Sequence, residues 1–360
     1  LAWGARGRVF ESLRPDQNLK PSYRKVTGFF YVLGNCNDCF RDALATLLCN
    51  EHFLTGLSYK LMKILLLGKN GQLGWELQRS LAPLGELLSL GSESSKLCGE
   101  LSNLEGIAAT VRQFKPDVIV NAAAYTAVDK AESEPDLAHR VNAEAVAVLA
   151  QEAKALGCLF VHFSTDYVFP GFGEQAWCEN DAVAPLNTYG ATKLAGECAI
   201  QQSGCLHLIF RTSWVYAARG QNFAKTILRL AQERDALSVI ADQVGAPTGA
   251  ELLADVTAHA IRAVLQDNAL SGLYHLAAKG ETNWYEYAQF VLAIAEKNGC
   301  ELKVKPADVT AISSCDYKTD AKRPENSRLN TDKLQQAFAI HLPHWKVGVE
   351  RMLDEVLAAQ

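Results

Sequence analysis

The sequence beyond Met62 predicts an α/β fold, a parallel sheet doubly wound with helices on both faces. Three observations carry that prediction. Uninterrupted apolar runs of strand length recur, stretches with helical apolar spacing separate them, and no fixed-period repeat or low-complexity linker breaks the alternation. Strands covered on both sides by helices must be apolar throughout, whereas strands with one wet face alternate.

Taken in order, the strand-like runs are residues 64–67, 86–90, 118–121, 159–164 and 207–211. Helical patterns fall between them at residues 74–84, 104–114, 137–156 and 189–202. Beyond about Gln221 the alternation loosens. Residues 62–220 therefore read mainly as a nucleotide-binding sheet domain, and residues 221–360 mainly as a smaller substrate-binding region whose helices return to the core.

The 360 residues are 49% apolar and 21% charged, the balance of a folded globular chain rather than a disordered one. A net charge of −5 leaves no global basic field, which argues against nucleic acid and anionic membrane as partners. No run of 18 uncharged apolar residues is present, so no spanning helix is expected. Ten cysteines without repeating spacing fit reduced thiols in the cytoplasm better than a disulfide framework.

Residues 1–61 differ in character, carrying 8 Lys/Arg against 5 Asp/Glu with no clear period. Acids at Glu11, Asp16 and Asp38 fit neither a signal nor a transit peptide. Cys36 and Cys39 form a pair with metal-ligand spacing but lack a second pair. The expectation is upstream sequence translated ahead of an initiator at Met62.

The first turn reads Gly68-Lys69-Asn70-Gly71-Gln72-Leu73-Gly74. Following a strand and opening a helix, it has the context in which glycines let backbone approach a dinucleotide pyrophosphate. The acid that would grip an adenosine 2′-hydroxyl at the end of the second strand is missing at Leu90-Gly91-Ser92, with Glu93 the nearest candidate. Its loss predicts that NADPH is accepted at least as well as NADH.

Tyr189-Gly190-Ala191-Thr192-Lys193 places a phenol and an amine four residues apart, on one face of a helix. A nearby ammonium is expected to lower the phenol's pKa, making Tyr189 a usable acid when a ketone is reduced. Thr165 closes the run ending Ser164-Thr165-Asp166-Tyr167, at the strand end that faces the ligand crevice. Asn121-Ala122-Ala123-Ala124-Tyr125-Thr126 closes another strand with small residues. His139, His162, His207, His259, His275, His341 and His344 show no paired-ligand spacing and are expected to serve packing or surface roles. The segment 242–248 is turn-rich, able to cap a cleft or merely connect elements. Lys322, Arg323 and Arg328 gather cations suited to a diphosphate, with Asn326 beside them.

Together the glycine turn, NAAAYTAVDKAE, STDYVF, YGATKLAGE, RTSWVY and KRPENSRLNTDKL resemble the extended short-chain dehydrogenase/reductases, from Met62 almost to the C-terminus. Within them the resemblance is to enzymes that reduce dTDP-linked keto-sugars. It implies a Rossmann-like sheet and reduction by NADPH or NADH of the C4 ketone of dTDP-4-dehydro-6-deoxy-L-mannose, in the service of cell-surface polysaccharide. Thr165, Tyr189 and Lys193 match the catalytic trio, with Tyr189 and Lys193 also against the cofactor. Gly68, Gly71, Gln72, Leu73 and Gly74 would meet its pyrophosphate, Glu100 and Leu101 its adenosine, and Ala124, Tyr125 and Thr126 its nicotinamide end. Thr165, Asp166 and Trp214 would contact the sugar. Some members use Mg²⁺ and form homodimers through glutamates, whose matching positions are Glu76, Glu251 and Glu355. Two rivals share the scaffold: an epimerase or dehydratase, and a non-catalytic regulatory subunit. A dehydratase would carry Asp-Glu after the threonine, where this chain has Asp166-Tyr167.

Overall fold

The computed structural model describes residues 61–358. Six parallel strands form the central sheet: β1 (Met62–Leu67), β2 (Gly85–Leu90), β3 (Val118–Asn121), β4 (Leu159–Thr165), β5 (His207–Thr212) and β6 (Gly272–His275). Their order across the sheet is β2-β1-β3-β4-β5-β6. The chain steps outward from β1 to β2, then returns past β1 to β3. That reversal opens a crevice above the carboxyl ends of β1 and β3, where ligands bind in such sheets.

Helices α1 (Gln72–Leu81), α2 (Leu104–Phe114), α3 (Val128–Ser133), α4 (Pro135–His139), α5 (Ala145–Leu156) and α6 (Thr188–Ser203) connect the first five strands. The strand period of two sorts β1 between two cores. Ile64 and Leu66 join Leu77 and Leu81 of α1 and Leu253 of a later helix. Leu65 and Leu67 join Ile107 and Val111 of α2 and Val146 and Leu149 of α5. All four β1 residues are buried, which is why the run could not alternate. Each such leucine contributes about 2 kcal/mol of burial.

The expected strands agree with β1–β5 to within two residues at each end. The single expected helix over 137–156 is interrupted. A short π-helical segment, Arg140–Glu144, separates α4 from α5. Its Asn142 turns its amide on neighbouring backbone, and α6 approaches so closely that a Cβ on Gly196 would lie 2.3 Å from the Asn142 carbonyl oxygen. Such bulges mark places where tertiary contacts outweigh helical regularity.

After β5 come α7 (Phe223–Glu233), α8 (Ala250–Gln266), α9 (Trp284–Lys297), α10 (Asp332–Phe338) and α11 (Trp345–Ala358). Strand β6 is the sheet's sixth member and went unread in the sequence. It is four residues long and spells Gly-Leu-Tyr-His, too short and mixed to stand out. Helix α8 packs on the α1 side of the sheet through Leu253, Ile261 and Val264. A third core joins α7, α9 and α11 around Tyr287, Leu292 and Trp345.

Candidate active site

Glycine is required where β1 meets α1. Gly68 has φ +89°, and a Cβ there would lie 2.7 Å from the Ala123 nitrogen. A Cβ on Gly74 would come within 1.9 Å of the Gly68 oxygen. Gly71 caps α1 without a side-chain hydrogen bond, so the first-turn N–H groups of the helix face outward. They look into a cavity of about 770 Å³.

Gly68, Gly71, Gln72, Leu73, Glu100, Leu101, Ala124, Tyr125 and Thr126 all line this cavity, as do Thr165, Asp166, Tyr189, Lys193 and Trp214. Gly74 does not. Its part is to let α1 close against the turn. The buried hydroxyls of Ser164 and Thr212 also belong to the lining and have no protein partner, which suits a polar ligand.

Thr165 ends β4 and is buried, its Oγ1 donating to Asp166 Oδ1 at 3.0 Å and accepting from the Tyr167 N–H at 3.2 Å. Asn187 starts α6 by accepting from the Gly190 N–H at 2.8 Å, and its amide donates to the Lys322 carbonyl at 2.8 Å. This cap sets the first turn of α6, and with it Tyr189. A Cβ on Gly190 would lie 2.2 Å from the Tyr167 oxygen, so glycine lets the helix seat against the end of β4.

The expected lowering of the Tyr189 pKa is not found. Burial, then the charge of Asp166, push it up to about 12, with the Thr165 hydrogen bond opposing them. Lys193 does not counter them, because its hydrogen bonds are directed elsewhere. Its Nζ donates to the Phe163 carbonyl at 2.6 Å and lies 3.1 Å from His162 Nε2. Burial brings Lys193 down to about 8, against the raising effect of Glu197. Glu197 holds Arg211 in a bidentate pair at 2.9 and 2.6 Å, so much of its charge is already answered. Asp166 is raised by burial to about 6, against hydrogen bonds from Ser327 and Thr165.

His162 has a place the sequence did not announce. It is buried in β4, between Lys193 and Asn121, and burial holds it neutral. Asn121 Oδ1 accepts from the Ala123 N–H at 3.1 Å, which turns Asn121 Nδ2 toward His162 Nδ1 at 3.3 Å. The charge of Lys193 acts on His162 in the same direction as burial. Asn142 was also missed. Its Oδ1 accepts from the Tyr125 N–H at 2.9 Å, and its Nδ2 donates to the Tyr125 carbonyl at 3.1 Å and to Thr192 Oγ1 at 3.2 Å. One amide thus ties the Ala124–Thr126 loop to the helix bearing the phenol. A polar residue within an apolar helical stretch was the available signal.

On the far side, Trp214 stacks on Trp284 with ring centres 3.6 Å apart, and both line the cavity. Trp214 has φ +50°, a rare conformation for a bulky side chain. The segment 242–248 supports this wall. A Cβ on Gly245 would fall 2.8 Å from the Trp214 ring, and Gln243 accepts from Trp284 Nε1 at 3.2 Å.

Other expected residues go elsewhere. Arg323 forms a bidentate pair with Asp129 at 3.0 and 2.7 Å. Asn326 is buried and donates to the Gln175 carbonyl at 2.7 Å. Neither lines the cavity; Arg323 fastens its loop to α3, and Asn326 fastens it to the loop after β4. Glu76 and Asp255 lie near Glu251, which burial raises, but the nearby group from α11 is Arg351. Glu355 is exposed, and no three acids, histidines or cysteines gather as a metal site among the described residues. Arg351 of α11 lies near Glu251, and Glu355 follows it one helical turn further along the same face. Cys36 and Cys39 lie outside the described residues. No described helix is long and apolar enough to cross a membrane.

The family model described as RmlD substrate binding domain matches residues 62–358. The dTDP-4-dehydrorhamnose reductase of Escherichia coli (strain K12) is 59% identical over 295 residues, covering 82% of this chain and 98% of the relative. The enzyme of the same name from Burkholderia thailandensis is 44% identical over 301 residues, covering 82% and 100%. Among solved structures, a dTDP-4-dehydrorhamnose reductase from Clostridium acetobutylicum superposes with TM-score 0.74 at 34% identity, covering 82% and 100%. One from Bacillus anthracis, in complex with NADP, gives TM-score 0.73 at 33% identity with the same coverage. Taken with the cradle, the phenol–amine helix and the tryptophan wall, these matches establish that the chain belongs to the dTDP-4-dehydrorhamnose reductase family of extended short-chain dehydrogenase/reductases.

Proposed function

We propose that the chain reduces the C4 ketone of dTDP-4-dehydro-6-deoxy-L-mannose to dTDP-L-rhamnose, the closing step of that nucleotide sugar's synthesis, in the cytoplasm. The observation that carries the reading is convergence. Thr165, Tyr189 and Lys193, from β4 and α6, line the same cavity as the glycine cradle of β1 and α1. The shared name of the relatives and the NADP held by one of them support it. The cradle that side chains would fill, the outward N–H groups of α1 and the unpartnered hydroxyls of Ser164 and Thr212 suit a nicotinamide dinucleotide.

When bound, the reduced cofactor supplies the hydride. The protein's own residues handle the proton and the charge. Tyr189, raised to about 12, stays protonated across the neutral range and gives its proton to the alkoxide oxygen as it forms. By turning its proton away from Asp166 Oδ1, Thr165 Oγ1 can donate to that oxygen or to the resulting phenolate, and the Lys193 ammonium opposes the negative charge nearby. The Trp214–Trp284 wall presents an apolar face to the deoxysugar and sheds water from it. Tyr167 follows Asp166 and packs edge-on against Tyr189 at 5.7 Å, where a dehydratase would carry a glutamate. This supports simple reduction over dehydration.

Purified protein given the keto-sugar nucleotide should consume one equivalent of NADPH or NADH and yield dTDP-L-rhamnose by NMR. Absence of consumption with both cofactors refutes the assignment.

A further inference from the structure

We propose that Glu93, reaching back from the loop after β2, takes the place of the acid missing at Gly91, and that Glu93 and Lys69 together set the choice between cofactors. This rests on the reading that a nicotinamide dinucleotide occupies the cavity. The two cofactors differ at one point, a 2′-hydroxyl on the adenosine ribose of NADH and a 2′-phosphate on that of NADPH.

The space above Gly91 is occupied. A Cβ built on this glycine would lie 2.3 Å from Glu93 Oε2 and 2.8 Å from Oε1. The carboxylate therefore fills the volume that a side chain at position 91 would need, and glycine is what admits it. The loop is tied in this shape: the Gly91 N–H donates to Ser94 Oγ at 3.0 Å, and the Ser94 N–H to the Gly91 carbonyl at 3.1 Å. Both carboxylate oxygens are held from the glycine turn. Lys69 Nζ lies 3.0 Å from Oε1, and Asn70 Nδ2 donates to Oε2 at 2.9 Å. A backbone hydrogen bond, then these contacts, keep the carboxyl below its ordinary range. Asn70, Gly91 and Ser92, the chain neighbours of Lys69 and Glu93, line the cavity.

A carboxylate oxygen has more than one lone pair, so Glu93 can accept from a ribose hydroxyl while keeping Lys69 and Asn70. The same charge repels a 2′-phosphate, and Lys69 beside it attracts one. Paired, the two nearly cancel. The protein should therefore bind NADH and NADPH with dissociation constants within about tenfold of each other.

Titration calorimetry of the full chain with NADH and with NADPH, without sugar, tests this. Glu93→Gln should move the NADPH/NADH affinity ratio toward NADPH by roughly tenfold, the size of one charge-assisted contact. Lys69→Met should move it the other way by a similar factor. Returning the acid to the strand end, as Gly91→Asp with Glu93→Ala, should restore a ratio near that of the parent chain. Because the Glu93 side chain is half exposed, none of these changes opens the core. If both cofactors bind and neither Glu93→Gln nor Lys69→Met shifts the ratio, the proposal is overturned while the cofactor reading stands. If neither cofactor binds the parent chain, both fall.

Discussion

The two walls of the cavity are built on different principles. The cradle between β1 and α1 is made of backbone, drawn from seven consecutive residues, Gly68 to Gly74. The opposite wall is made of side chains brought from afar, with Trp214 lying on Trp284 above Gly245. A backbone site works wherever its glycines permit the turn, so it tolerates little change yet recognises only what all dinucleotides share. A side-chain site depends on packing among distant segments and can be adjusted to one sugar. The contrast predicts that damage to the cradle is lost as cofactor binding, and damage to the wall as substrate selectivity.

Tyr189, where the walls meet, should separate chemistry from both. Tyr189→Phe is expected to lower kcat by roughly 10²–10⁴-fold, with cofactor dissociation constants unchanged by fluorescence titration. Near-normal turnover in that variant would remove Tyr189 as the acid. Next in size is the cradle itself. In Gly74→Ala the added methyl meets the Gly68 oxygen, so α1 must move. Overpacking of this kind costs about 1–3 kcal/mol and should weaken both NADH and NADPH tenfold or more, visible also as a lower Tm. Equal affinity for the variant and its parent would show that the turn is not where the dinucleotide sits.

On the sugar wall, Trp214→Ala should raise KM for the keto-sugar nucleotide by about tenfold, the loss of one aromatic face, and leave cofactor affinity alone. A change confined to cofactor binding would reverse the roles given to the two walls. The smallest effect concerns pH. Burial brings Lys193 to about 8, so it is an ammonium below that value and a neutral amine above it. Its support for the developing negative charge is present at pH 7 and lost as pH rises. The rate should fall as pH rises through about 8 and level off, by less than about tenfold in all, once Lys193 is neutral. A flat profile from pH 7 to 10 would exclude Lys193 charge from the chemistry.

Much of the cradle side was legible before any coordinates. The apolar run into Gly68, the helix over 104–114 and the four-residue spacing of Tyr189 and Lys193 are local patterns, and each reappears in the fold where it was read. Less was legible where a residue's role depends on its neighbours in space. His162 looked like any core histidine until β4 and α6 set it 3.1 Å from Lys193. Arg323 looked like a phosphate ligand, and Asp129 claims it instead. Burial and the Asp166 charge moved the Tyr189 pKa opposite to expectation; spacing along a helix shows that two side chains share a face, not how deeply they are buried or where the amine directs its hydrogen bonds.

By itself, then, the order of residues determined the sheet-and-helix alternation, the turn that only glycine can make, and the placing of Tyr189 and Lys193 one turn apart on one helix. These depend on backbone sterics and on contacts within a few positions, which a linear pattern expresses directly. Tertiary structure alone decided the sixth strand, the tryptophan wall, the neutral histidine behind Lys193 and the carboxylate of Glu93 above Gly91. Each requires two segments distant along the chain, or a side chain folding back on its own loop. Burial and hydrogen-bond geometry assign such groups their partners only once the sheet has closed around them.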